Sequence, residues 1–212
     1  MIQNDILERF AHAEARHQRE IDRFRSDGGT WRNKQKLFEI EMNQRGYILV
    51  GVGMYSSVWR LHGKLYKINS NLNGVYDGFY NWMLACIKQP GNPCLPQFGE
   101  LVQHGQRFCV EVQPLQKQWT IDGPESLYGV SRTNRYLRDA ILLAVQVCAN
   151  ECEVSRGMFD NFDPDRIDAK IIKTFLDIHT ANVMRVNGQL VLNDPIAYLA
   201  NQIPVFEVAE YA

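Results

Sequence analysis

The sequence predicts an α+β protein: a small antiparallel sheet lobe with one helix, followed by a reduced, mostly helical lobe. Three observations carry this. Short β-branched and aromatic runs separated by glycine cluster between residues 47 and 112. Their order is three strands, a helix, then two strands. Beyond residue 130 the apolar residues recur at helical spacing, and only a short hairpin interrupts them.

Residues 4 to 26 read as a charged helix with Ile6, Phe10, Ala13, Ile21 and Phe24 on one stripe, stopped by the sequence SDGG. The stripe reads as packing on its own domain rather than as docking a partner. A second helical segment, 31 to 46, leads to Gly46. Then YILVGVG, SVWRL and GKLYKI make two successive hairpins, the second turning at Gly63. In DGFYNWMLACIKQ the residues Phe79, Trp82, Met83, Cys86 and Ile87 share a helix face, and PGNP ends the helix. QFGELV and RFCVEVQPL are the next strands, joined by a turn around Gly105.

In the second half, SRTNRYLRDAILLAVQVCANECE is a long helix that Ser131 would cap, and Pro164 opens another, PDRIDAKIIKTF. A loop follows, then a hairpin turning at Asn187-Gly188. No internal repeat or low-complexity linker appears. The expected division is a helical segment over 1–45, a sheet lobe over 46–115 and a helical lobe over 116–212, joined near residues 113 to 118.

The 212 residues suffice for one large domain or two packed lobes. Twenty-three basic against 24 acidic residues leave a net charge of −1, which favours neither nucleic acid nor anionic lipid as a partner. No apolar run reaches the roughly 18 residues of a membrane span. MIQNDILERF lacks the basic and then apolar pattern of a secretory signal, so the expected compartment is the cytoplasm. Cys86, Cys94, Cys109, Cys148 and Cys152 lack paired CxxC spacing and read as reduced, partly buried thiols.

The chemistry gathers in two places. In LDIHTANVM, Asp177 and Asn182 stand five apart, and Asp194 closes the hairpin GQLVLNDP. Two strands of about four residues bring Asp194 back beside Asn182. An Asp before Pro195 is on its own a common turn starter. With its partners in register, the set suits phosphoryl transfer to a hydroxyl: one carboxylate takes the proton, while an amide and a second carboxylate hold Mg²⁺. Upstream, Gly51, Gly53, Ser56 and Val58 fit the loop that lays backbone N–H groups over phosphates, and Lys67 lies in the following strand.

Over about residues 46 to 198, GVGMYSSVW, LYKI, LDIHTANVM and LVLNDP resemble the protein-kinase-like superfamily. They look most like the compact early serine/threonine protein kinases of short-tailed phages (podoviruses). DIHTAN is also similar to the DxHxxN loop of aminoglycoside and choline kinases. The resemblance implies a minimal bilobal kinase-like fold with ATP and Mg²⁺ as cofactors. It makes Asp177 the catalytic base, Asn182 and Asp194 metal ligands, and Lys67 the phosphate-binding lysine. Gly51, Val52, Gly53, Met54, Tyr55 and Ser56, with Val58, would cover the triphosphate. The backbone from Val112 through Gln113 to Leu115 would meet the adenine.

Phe175-Leu176 stands where the family has His-Arg, and residues 195 to 212 leave no room for a full activation segment. Switching through an activation loop is therefore not expected. Asp77 either pairs with Lys67 or caps its helix, with Glu100 and Glu111 as weaker substitutes for the pairing. His179 orients Asp177, touches the γ-phosphate, or serves as a loop hydrogen-bonder; the orienting role is favoured. Ser56 bonds a phosphate or closes its turn. Trp82, Trp119, Phe159 and Phe162 read as packing residues rather than as a docking surface. The implied activity is ATP-dependent phosphorylation of host bacterial proteins, and of the chain itself, in the host cytoplasm. Two other readings stand beside it: a weak or inactive kinase-fold protein that binds and inhibits a host protein, and a small-molecule phosphotransferase.

Overall fold

A computed structural model describes residues 2–16, 38–39, 41–53, 56–69, 78–104, 107–151 and 167–196. The chain divides into two compact units, Met1–Leu72 with Gln97–Pro114, and Asn73–Pro96 with Leu115–Ala212.

The first unit is a helix on a sheet. Helix α1 (Ile2–Arg16) precedes strands β1 (Ile48–Val52), β2 (Ser56–Leu61) and β3 (Lys64–Asn69), and β4 (Phe98–His104) and β5 (Arg107–Val112) complete the sheet. The sheet order is β1-β2-β3-β5-β4, with every pair antiparallel. The β2–β3 turn holds His62 at φ 48° and Gly63 at φ 79°. Two successive left-handed residues are what a two-residue hairpin with matching twist requires.

Ile6, Leu7, Phe10 and Ala13 pack on one sheet face with Phe38, Met42, Tyr47, Trp59, Tyr66, Ile68 and Cys109. Each large apolar side chain buried there stabilises by about 1.5–3 kcal/mol. Phe10 stacks on Phe38 at 5.0 Å and meets Trp59 edge-on at 6.0 Å. Polar contacts fix the same helix: the Tyr47 hydroxyl donates to Asp5 Oδ2 at 2.6 Å, and Arg9 Nε donates to the same oxygen at 2.7 Å. The Arg9 guanidinium holds the Asp5 carboxyl below its ordinary value. Residues 38–39 and 41–43 are helical, and the turn after them ends at Gly46 with φ 82°. Ile21, Phe24 and the SDGG stop lie outside the described residues.

The second unit contains α2 (Phe79–Ile87), α3 (Pro124–Ser131), α4 (Arg135–Glu151), α5 (Ala169–Phe175) and the hairpin β6 (Val183–Val186)–β7 (Gln189–Leu192). Phe79, Trp82, Met83 and Cys86 are buried as their spacing predicts. Ile87 instead is 47% exposed: it is the last helical residue and falls at the edge of the stripe.

The long helix expected from Ser131 onward begins at Arg135 instead. Ser131 ends α3, and its hydroxyl donates to the Tyr128 carbonyl at 2.8 Å. The cap of α4 is Asn134, whose Oδ1 accepts from Leu137 N at 3.1 Å. Leu137, Ala140, Ile141, Ala144, Val145 and Cys148 then form its buried stripe. Helix α3 is not among the elements the sequence predicts, although Pro124 stands at its first turn, where proline costs nothing. Pro164 lies outside the described residues. Ile167 and Asp168 are not helical, and Asp168 caps α5 by accepting from Ile171 N at 2.8 Å.

Trp82 is buried, but Trp119 is 74% exposed, contrary to its expected packing role; Phe159 and Phe162 lie outside the described residues. Cys86, Cys94, Cys109 and Cys148 are buried thiols, and burial pushes the Cys109 thiol up to about 12. Cys152 lies outside the described residues. Among the described residues no helix is long and apolar enough to cross a membrane.

Candidate functional site

In the sheet unit, β1 pairs with β2 through Leu49↔Trp59, Gly51↔Val58 and Val52↔Ser57, so Val50 is the extra residue of a bulge. Gly53 N donates to Ser56 O at 2.8 Å and closes the hairpin tip. Met54 and Tyr55, between them, lie outside the described residues. Gly51 and Gly53 are not among the positive-φ glycines, so the turn does not demand them. A Cβ on Gly51 would meet nothing within 4 Å, and one on Gly53 would lie 3.2 Å from Ser56 Oγ. The hairpin therefore presents bare backbone at Gly51, and the buried Ser56 hydroxyl sits in the tip against Gly53.

Lys67 lies opposite Val58 on one side and Val110 on the other, and Val110 lies opposite Leu101. Gly51, Val58, Lys67, Val110 and Leu101 thus form one row across five strands. Alternation puts this row on the face away from α1, because Trp59, Tyr66, Ile68 and Cys109 take the α1 face. Lys67 is buried, at 7% exposure. Glu111 follows Val110 and so points to the other face, where its Oε2 meets Lys64 Nζ at 2.9 Å. That placement removes Glu111 as a partner for Lys67. Glu100 is exposed beside the β4 bulge, and its carbonyl accepts from Gln3 Nε2 at 3.3 Å. Asp77 lies outside the described residues. Gln113 follows β5 with its Nε2 atom buried, and Leu115, in the other unit, is half-buried.

In the helical unit, the loop from Leu176 to Asn182 runs between α5 and β6. Asp177 N donates to Pro195 O at 2.8 Å. The His179 carbonyl accepts from Asn182 N at 3.0 Å and Val183 N at 3.1 Å, which turns the chain into β6. The Asn182 carbonyl accepts from Asn193 N at 2.7 Å and Asp194 N at 3.4 Å. At the far end, Asn187 and Gly188 have φ 48° and 81°, the paired left-handed turn their sequence predicts. The hairpin thus returns Asp194 to the loop that holds Asp177 and Asn182. Trp82 Nε1 donates to Asn193 O at 3.0 Å and Leu192 N to Cys94 O at 2.9 Å, tying the returning segment down.

The side chains in this loop are hydrogen-bonded to one another. Asn182 Nδ2 donates to the Asp177 carbonyl at 2.8 Å and to Asp177 Oδ2 at 3.2 Å. Ala181 N donates to His179 Nδ1 at 3.1 Å, so neutral His179 carries its proton on Nε2. That atom faces Asp177 Oδ2 at 3.5 Å. Both neighbours therefore address Oδ2, on a side chain that is 49% exposed.

With Nδ2 committed to Asp177, Oδ1 is the Asn182 atom left to ligate. Asn182 Oδ1 and the Asp194 carboxylate are hard oxygen donors brought to one end of a hairpin. Magnesium is commonly held by one or two such groups together with substrate phosphates, so the donor set fits it. Among the described residues no group of three or more His, Cys, Asp or Glu could hold a metal without such help. Two residues outside the expected site set shape this loop: Pro195, at the end of LVLNDP, and Gln118, which carries no motif in the sequence. They act through a carbonyl and a buried amide, whose partners only the fold supplies.

No protein-family model matches the chain, and no curated protein sequence does. Among solved structures it is similar to aminoglycoside phosphotransferase APH(4)-Ia. A thermostable mutant in ternary complex with ADP and hygromycin B is 13% identical, with 73% of this chain and 69% of that one covered at a TM-score of 0.35. The AMP-PNP and hygromycin B complex matches at 13% identity, 72% and 68% coverage and TM-score 0.35. The apo form matches at 12%, 73%, 69% and 0.34.

Proposed function

We propose that the chain is a phosphotransferase of protein-kinase-like fold that uses ATP and Mg²⁺ to phosphorylate serine or threonine hydroxyls of host bacterial proteins, and itself, in the bacterial cytoplasm. The observation that supports it most is the Asn182 residue. Its side chain is bonded to Asp177, and its carbonyl holds the backbone N–H groups of Asn193 and Asp194. One residue thus ties together a proton-accepting carboxylate, an amide ligand and a second carboxylate.

In this reading Asp177 Oδ1 orients the acceptor hydroxyl and takes its proton. His179 and Asn182 fix that carboxylate through Oδ2. Lys67 and the bare backbone at Gly51 and Gly53 are assigned to the phosphates of ATP, Val58 to the nucleotide, and the backbone at Gln113 and Leu115 to the adenine. Asn182 and Asp194 would hold Mg²⁺, which when bound neutralises charge developing on the phosphates. Burial of Lys67 suits a cation whose partner is another charged group rather than water.

The test is transfer from labelled ATP, with Mg²⁺, to proteins of a bacterial lysate. Asp177→Asn and Asp194→Asn are expected to lower it by about 10²–10⁴-fold, the range for lost acid–base and charge-stabilising groups. Both variants should keep the circular dichroism spectrum of the parent. Wild-type rates in either variant would sink the proposal. Label in a small hydroxyl compound instead of protein would select the small-molecule phosphotransferase, whose DxHxxN pattern the loop also carries. An effect on the host that survives in the silenced variants would select the binding protein.

A further inference from the structure

The chain at Gln116 lies antiparallel to β6. Gln116 and Arg185 exchange both backbone hydrogen bonds, at 2.7 and 2.8 Å. In that register the next pair is Gln118 with Val183. The Val183 N–H is given to the His179 carbonyl, so it does not complete that pair by donating to the Gln118 carbonyl. The Gln118 side chain stands in for the missing backbone. Its Nε2 donates to Val183 O at 3.0 Å and to Ile121 O at 2.8 Å. Its Oε1 accepts from Thr120 N at 2.7 Å, Ile121 N at 2.8 Å and Thr120 Oγ1 at 3.1 Å. The residue is 3% exposed.

Val183 directly follows Asn182. Its carbonyl is the first β6 group beyond the loop, and Gln118 is what meets it. We propose that Gln118 is a positioning residue: it holds the peptide after Asn182 so that the Asn182 amide stays on Asp177. This rests on the phosphotransferase reading. Without the Gln118 amide, the Val183 carbonyl would be left in a buried position. The nearest relief is rotation of the Asn182–Val183 segment, which moves Asn182 Nδ2 away from Asp177 Oδ2.

Gln118→Leu removes all five bonds at similar volume, and Gln118→Glu keeps the acceptor atom but loses the donors. Gln3→Leu, at another buried glutamine in the sheet unit, is the control for a loss of stability alone. The full chain is assayed for kcat per folded molecule and KM for ATP. The side-chain amide resonances of Asn182 are followed by NMR without substrate. Gln118→Leu is expected to lower kcat about tenfold, equivalent to about 1.4 kcal/mol, with KM for ATP unchanged and the Asn182 resonances shifted. Gln3→Leu should keep the parent kcat.

An unchanged kcat in folded Gln118→Leu, or an equal loss in Gln3→Leu, overturns the proposal. If Gln118→Leu fails to fold, Gln118→Glu decides by the same criteria. If the parent itself transfers no phosphate, the phosphotransferase reading falls, and the NMR arm decides the role of Gln118 alone. Unmoved Asn182 resonances would then overturn it.

Discussion

Gly78 is a test of how tightly the segment after Asp194 is held. It begins α2 at φ −55° and ψ −11°, a conformation any residue adopts, so its need for glycine is spatial. A Cβ there would lie 2.5 Å from Ile196 Cγ2 and 3.1 Å from Ile196 Cβ. Carbon atoms prefer about 3.5–4.0 Å, so in Gly78→Ala the isoleucine must give by roughly 1 Å. It cannot do so by swinging a flexible end, because a β-branched side chain is stiff at χ1.

Overpacking of this kind costs about 1–3 kcal/mol. The displaced residue follows Pro195, whose carbonyl accepts the Asp177 N–H. A misplacement of about 1 Å at reacting groups lowers rate on the order of 10²-fold. The assays are urea unfolding by circular dichroism and phosphate transfer per folded molecule, on Gly78→Ala, Ile196→Ala and the double variant. Ile196→Ala deletes Cγ2, so the two changes should be non-additive, with a coupling of about 0.5–3 kcal/mol in favour of the double variant. Strict additivity, or a Gly78→Ala protein with parental stability and activity, would refute the reasoning.

Two further outcomes follow from local contacts. Asn134→Ala should cost about 1 kcal/mol of stability as a lost N-cap. Ser131→Ala should cost less, since the Tyr128 carbonyl keeps the Arg132 N–H; thermal melts showing the reverse order would return the cap to Ser131. Asp5 carries a carboxyl lowered from its ordinary value, first by the Arg9 hydrogen bond. Its contribution is present above the unfolded-state value and is lost as pH falls through the lower folded one. Partial exposure keeps that contribution small. Asp5→Asn should therefore flatten the acid side of the melting-temperature profile below about pH 4, and an unchanged slope there would remove Asp5 from the account.

Periodicity and turn chemistry are local, and the elements they encode are the ones legible in the sequence. The sheet strands, α2 and the Asn187-Gly188 hairpin each carry a pattern within a dozen residues, and each forms. Asn134 and Ser131 are both good caps three residues apart, and only the break at Arg132-Thr133 separates them. Composition alone makes Trp119 a packing residue, yet it sits between Gln118 and Thr120, which are bonded while it is exposed. The faces of Glu111 and Lys67 depend on strand parity, which the position of each residue along β5 and β3 sets. Gln118 has no such signal. Its role comes from a register with β6 some 65 positions away in sequence and from a backbone N–H that is committed elsewhere. Motifs name the groups that meet a substrate, whereas the groups that aim them are chosen by whichever backbone bonds the fold leaves open.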